Sequence, residues 1–176
     1  MRFFLFLVAS VCIALAWLLP IHYRPWVTYT GELFAFLSLF ALSALFLKEK
    51  LLLPKVSLPL LLLSLVPFIQ YGFGELFFFS KALMCGLYIF AFWLSMVLGF
   101  NLSQKPLERE QLFSGLCSVF WSVGLVTALI ATCQWLNLEQ YIPGMTTLKG
   151  DRPYANFAQP NNMASFLILS LLGTLY

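Results

Sequence analysis

The chain has 176 residues, of which 61% are hydrophobic, 18% aromatic and only 10% charged, with mean hydropathy +0.90 and formal net charge +3. Soluble domains carry about 25% charged residues, so this composition excludes a soluble globular protein and reads as an integral membrane protein. The few Lys and Arg fall in short loops, where they act on topology, and nucleic acid is not an expected partner.

A bilayer core takes about 20 apolar residues as helix. The first run is Phe3 to Ile21. It is longer than a signal-peptide core of roughly 7–15 residues and no small-x-small cleavage site follows, so it reads as a retained helix. The second run covers Gly31 to Leu47, and the third roughly Val56 to Tyr71, with a kink expected from Pro59 and Pro67. The fourth is Ala82 to Phe100 and the fifth Leu112 to Leu136. A sixth starts near Asn162 and reaches Tyr176, roughly 22 Å of helix against a hydrocarbon core of about 30 Å. The expected fold is therefore all-α: a polytopic integral membrane protein with about five full transmembrane helices plus the start of a sixth. Residues 1–176 read as a single transmembrane domain, the N-terminal portion of a longer protein.

The loops carry the orientation. With the N-terminus inside, Arg2, Lys48, Lys50, Lys55, Lys105 and Arg109 face inward, and Arg24, Lys81, Lys149 and Arg152 face outward. The inward excess favours this topology. It expects the loops "HYRPWVTYTGE", "GFGELFFFSK" and "RPYANFAQPNN" outside, which in a bacterium is the periplasmic side of the inner membrane.

Cys12, Cys85, Cys117 and Cys133 all fall inside apolar runs without metal-ligand spacing and read as small hydrophobes. No metal or other cofactor is expected. His22 is the chain's one histidine, a poor start for a metal site and an ordinary neighbour for the interfacial aromatics Trp26 and Tyr29. Glu32 opens the second helix, where a carboxylate complements the helix dipole; it could equally partner Arg24 or Arg152. Glu75 and Lys81 could form a loop ion pair of little energetic weight.

The stretch "RPYANFAQPNN" concentrates the unusual polar residues. Arg152 offers a planar fork of donors suited to phosphate or carboxylate, and also suits a headgroup anchor. Gln159 has an amide that can serve a sugar hydroxyl or a diphosphate oxygen. Pro160 holds Gln159 extended and suits a helix start, which Asn161 or Asn162 could cap. Capping does not account for Arg152, Asn156 and Gln159. Together with the positive end of the following helix, the group reads as an anion and polyol site at the membrane surface.

Those residues resemble a known signature. "RPYANFAQPNNMASFL" is similar to the "R…GN…QPN…A" stretch of bacterial O-oligosaccharyltransferases, relatives of O-antigen ligase that glycosylate pilins and other proteins, at Arg152, Asn156, Gln159, Pro160, Asn161 and Ala164. The Gly usual before the first Asn is Ala155 here, which disfavours a turn with positive φ. The first outer loop resembles the family's His–Pro–Glu stretch through His22, Pro25 and Glu32. The resemblance implies transfer of a preassembled oligosaccharide from undecaprenyl pyrophosphate to Ser or Thr of a periplasmic, pilin-like acceptor protein, without a metal. It implies catalytic roles for Arg152 and Gln159 and substrate-binding roles for Asn156, Asn161, Glu32, Arg24 and His22. It also implies that the family's essential histidine lies further along than this chain reaches, so that the 176 residues alone are inactive. Two other functions fit the sequence: an O-antigen ligase or polymerase sharing the donor, and a non-catalytic transport subunit. The mid-span residues are mostly Ser, Thr and Cys, with Gln70 and Gln134 near helix ends, which argues against transport.

Overall fold

The computed structural model describes residues 2–19, 29–47, 49–142, 145–148, 150–157 and 159–173, all helix, turn or irregular, with no strand among them. Among the described residues seven α-helices follow in order: α1 (Arg2–Leu18), α2 (Tyr29–Ala44), α3 (Leu58–Leu63), α4 (Val66–Gly72), α5 (Phe79–Ser103), α6 (Pro106–Trp135) and α7 (Pro160–Leu172). The all-helical, membrane-spanning class follows the apolar runs. The count of about five full spans plus the start of a sixth is not confirmed. Among the described residues three segments are long and apolar enough to cross a membrane: Lys55–Gly72, α5 and α6. Helices α1, α2 and α7 are apolar but shorter; the 17 residues of α1 reach only about 26 Å at about 1.5 Å per residue.

Two differences have local causes. Lys55–Gly72 is a 3-10 turn at Lys55–Ser57 followed by α3 and α4, not one helix. Pro67 lacks an N–H and its ring would strike the carbonyl four residues back, at Leu63, where α3 ends. Helix α6 starts at Pro106, so the charged "PLEREQ" forms its first turns and not a loop. Proline suits the first helical position, and Glu108 in the first turn complements the dipole.

The chain forms two compact units, Met1–Ala41 with Gln111–Tyr176, and Leu42–Glu110. In the second unit, α5 packs on α3 and α4. A side chain at Gly86 would press into the Phe68 ring and the Ser64 carbonyl, so glycine permits this approach. The buried Asn101 amide accepts from the Leu52 N–H at 2.9 Å and donates to the Leu52 and Val97 carbonyls at 2.8 Å, pinning the extended chain before α3 to α5. Lys105 adds an ion pair with Glu49 at 2.7 Å. Lys81 lies over the Phe78 ring, its Nζ 5.5 Å from the centroid, and forms no bridge to Glu75.

In the first unit, Val119 and Val123 of α6 and Phe166 of α7 make a core, with Ile13, Ala14, Trp17 and Leu18 of α1 packed on it. Rings of Trp17, Phe120 and Phe166 stack at centroid distances of 4.9 to 5.9 Å. Glycines let the helices meet: a Cβ on Gly31 would lie 3.0 Å from the Ala16 carbonyl, and one on Gly124 would lie 2.4 Å from the Ser170 Cβ. This packed end of α1, α6 and α7 is the floor beneath the loop that precedes α7.

Candidate functional site

The loop between α6 and α7 is braced from below. Phe157 drops onto Phe166 with ring centroids 4.9 Å apart. Tyr154 is buried, and its hydroxyl donates to the Thr147 carbonyl at 2.7 Å. Asn156 is half-buried, and its amide is committed at both ends: Nδ2 donates to the Leu18 carbonyl and Oδ1 accepts from the Thr146 hydroxyl at 2.9 Å. Leu18 is the last residue of α1, where helix carbonyls lack partners within the helix. Asn156 thus ties the loop to α1.

At the centre lies Gln134, the second-to-last residue of α6, with no exposed surface. Its Oε1 accepts from the N–H groups of Tyr154 at 3.1 Å and Ala155 at 2.8 Å. Its Nε2 donates to the carbonyls of Thr146 at 3.0 Å and Ala155 at 3.2 Å. Two donors and two lone pairs are the whole capacity of a side-chain amide, and all are used.

Ala155 sits at φ 49°, in the left-handed region. Replacing the expected glycine by alanine therefore does not abolish the positive-φ turn. Left-handed backbone costs a non-glycine residue about 1–2 kcal/mol. Net hydrogen bonds of about 1 kcal/mol each, three of them from Gln134 to Tyr154 and Ala155 themselves, offset that cost.

On this braced loop the remaining polar residues point the other way in character. Arg152 is exposed and makes no ion pair among the described residues. Gln159 is exposed and extended, at φ −143° and ψ 138°, and is itself the N-cap residue of α7. Its side chain makes no capping bond. This corrects the expected cap: Asn161 and Asn162 lie inside the first turn, both exposed, because Pro160 already supplies the first helical residue. The positive end of α7 therefore lies beside Gln159, with no capping hydrogen bond from the Gln159 side chain. Glu32 is half-buried in the first turn of α2. Arg24 and His22 lie outside the described residues.

Glu139 was not singled out in the sequence; its Oε1 accepts from the Leu148 N–H at 3.4 Å while its Oε2 is buried without a donor. Beside the loop, Ala131, Thr132, Trp135, Pro153 and Met163 line a cavity of about 400 Å³. A second hollow of about 320 Å³ runs between α6 and α7 at Trp121, Gly124, Leu125 and Leu171. Both are predominantly apolar. Among the described residues no group of His, Cys, Asp and Glu is arranged to hold a metal.

Comparison with known proteins finds relatives along the whole chain. Over all 176 residues the chain is 50% identical to the general O-oligosaccharyltransferase of Acinetobacter baylyi. The chain is a homologue of the O-oligosaccharyltransferases. Over 151 residues, 85% of its length, it is also 27% identical to the ComP-specific O-oligosaccharyltransferase of the same organism. The chain spans 31% and 27% of the lengths of these two oligosaccharyltransferases. No family model matches it, and no solved structure does.

Proposed function

We propose that this chain is the N-terminal membrane part of a glycosyltransferase that moves an oligosaccharide from undecaprenyl pyrophosphate to Ser or Thr of periplasmic, pilin-like proteins. The observation that carries this is the 50% identity along the whole chain to a general O-oligosaccharyltransferase. The geometry agrees with it. A loop braced by hydrogen bonds from Gln134 and Asn156 carries Arg152 and Gln159 exposed, beside the N-terminus of α7.

In such a transfer the bond from the anomeric carbon to the diphosphate oxygen breaks, and a bond from that carbon to the acceptor hydroxyl oxygen forms. The diphosphate leaves with increased negative charge. In this reading Arg152 meets that charge as a cation and Gln159 with an amide donor, aided by the dipole of α7. The acceptor's proton must go to a base, which none of Arg152, Gln159 and Asn156 provides. Asn156, with both ends of its amide engaged, holds the loop. The apolar hollows along α6 and α7 have the chemistry of an isoprenoid seat, and Pro153 opens one of them next to Arg152. Glu32, Asn161, Arg24 and His22 are proposed to contribute at the sugar, on the basis of the sequence resemblance alone.

The test is Arg152→Ala in the full-length protein, with glycosylation of the acceptor as readout. Losing a charge-assisted contact of about 2–3 kcal/mol lowers transfer on the order of a hundredfold, with membrane insertion unchanged. Transfer at the parental rate would remove Arg152 from the donor site.

A further inference from the structure

Gln134 lies 18 residues before Arg152 and belongs to a different element, the end of α6. Its amide grips both sides of the loop: Thr146 on the way out, Tyr154 and Ala155 on the way back. Of all side chains at this end of α6, it alone is both polar and wholly buried. Three of its four bonds fall on Tyr154 and Ala155, and Ala155 is one of two residues with a Cβ that take a left-handed conformation in the loop, the other being Asn137 just after α6.

The turn decides where the following residues go. With Ala155 left-handed, Asn156 reaches the Leu18 carbonyl and Phe157 seats on Phe166. Gln159 then enters α7 from the extended region. With Ala155 in the β or right-handed region, the chain direction after Tyr154 changes. Arg152 and Gln159, on the two sides of this turn, would no longer be held in one arrangement.

We infer that Gln134 is the positioning residue of the site: its buried amide imposes the left-handed turn at Ala155 and so fixes Arg152 and Gln159 relative to each other. It touches neither substrate nor diphosphate and acts through the backbone. This rests on the proposed donor role of Arg152 and Gln159, but the clamp is measurable without it.

The inference makes a reciprocal prediction. Glycine takes positive φ without strain. If Gln134 matters because it enforces that φ, then Ala155→Gly removes much of the need for it. The experiment compares Gln134→Ala, Ala155→Gly and the double variant in the full-length protein. Transfer is measured from the lipid-linked oligosaccharide to the acceptor, with kcat and KM for the donor. A spin label at Asp151→Cys, in a background with the native cysteines replaced by alanine, reports loop mobility.

Gln134→Ala is expected to lower kcat/KM tenfold or more and to sharpen the label's spectrum towards fast motion. Ala155→Gly alone stays within twofold of the parent. The double variant regains at least threefold of the lost transfer. As a control, Gly124→Ala disturbs the α6–α7 contact away from the loop, and its loss is not recovered by Ala155→Gly. An unchanged label spectrum in Gln134→Ala overturns the inference, whatever the activity. So does a double variant no better than Gln134→Ala, which would leave Gln134 a general packing residue. If Gln134→Ala fails to accumulate in the membrane, the double variant decides: accumulation with transfer supports the inference, and its absence overturns it. A mobile label with transfer insensitive to Arg152→Ala would uphold the clamp and reject the donor site.

Discussion

Gln159 and Asn162 flank the start of α7, one as the N-cap residue and one inside the first turn, and both side chains are exposed. They separate a binding role from a structural one. Gln159→Ala removes an amide that caps nothing, so helix stability is unchanged while transfer falls between about tenfold and a hundredfold, the value of a bond to a charged group. Asn162→Ala places a better helix former in the first turn and leaves transfer unaltered, with at most about 0.7 kcal/mol gained locally. Equal, mild losses at both positions, read by acceptor glycosylation, would make the stretch a helix-entry turn only. Arg152→Lys adds a second axis: partial activity means that charge suffices, and near-complete loss means that the planar fork is needed. Arg152 and Gln159 were legible in the sequence as exposed polar candidates, because polar residues stand out in so apolar a chain. The turn at Ala155 was not. Its backbone preference is overruled by Gln134, 21 residues away, and no local rule contains that hydrogen bond.

At the scale of elements, hydropathy located every helix, since apolar runs of this length have few other solutions in a bilayer. It misplaced ends. The start of α6 is charged and overhangs the apolar run, and the kinked segment Lys55–Gly72 breaks where Pro67 forbids a continuous ladder. Packing was also invisible, because glycines in membrane runs do not announce which of them touch a neighbour. Two of them now separate. A Cβ at Gly124 would meet the Ser170 Cβ at 2.4 Å, whereas one at Gly99 meets nothing within 4 Å. Gly124→Ala forces α6 and α7 apart and costs about 1–3 kcal/mol, because a β-carbon cannot rotate away. Gly99→Ala removes a flexible residue from α5 and gains about 0.5–1 kcal/mol. Thermal unfolding in detergent should therefore move in opposite directions for the two variants. A shift of the same sign in both would show that the α6–α7 contact is not the tight one.

For the whole molecule, sidedness decides whether the proposed chemistry is possible, because a periplasmic acceptor can be reached only from a periplasmic loop. The division into two compact units was not legible in a hydropathy profile, which sees crossings and not contacts. The crossings themselves give a direct test. Helix α6 has 30 residues, about 45 Å at about 1.5 Å per residue, enough to pass a core of about 30 Å and leave both ends in the interface. Gln104, before it, and Thr147, after it, are both exposed, and a crossing by α6 would make them reachable from opposite sides. The expectation from the Lys and Arg bias, six inward against four outward, is that Thr147 lies outside. Single cysteines at the two positions, in a background without the native four, are treated with a membrane-impermeant maleimide in intact cells. Thr147→Cys is expected to react at once, and Gln104→Cys only after permeabilisation. The reverse pattern would put Arg152 and Gln159 on the cytoplasmic side, away from any periplasmic acceptor, and the proposed function would fall with it. Reaction at both positions in intact cells would mean that α6 does not cross, and the loop would lose the fixed height above the membrane that a diphosphate-linked isoprenoid requires.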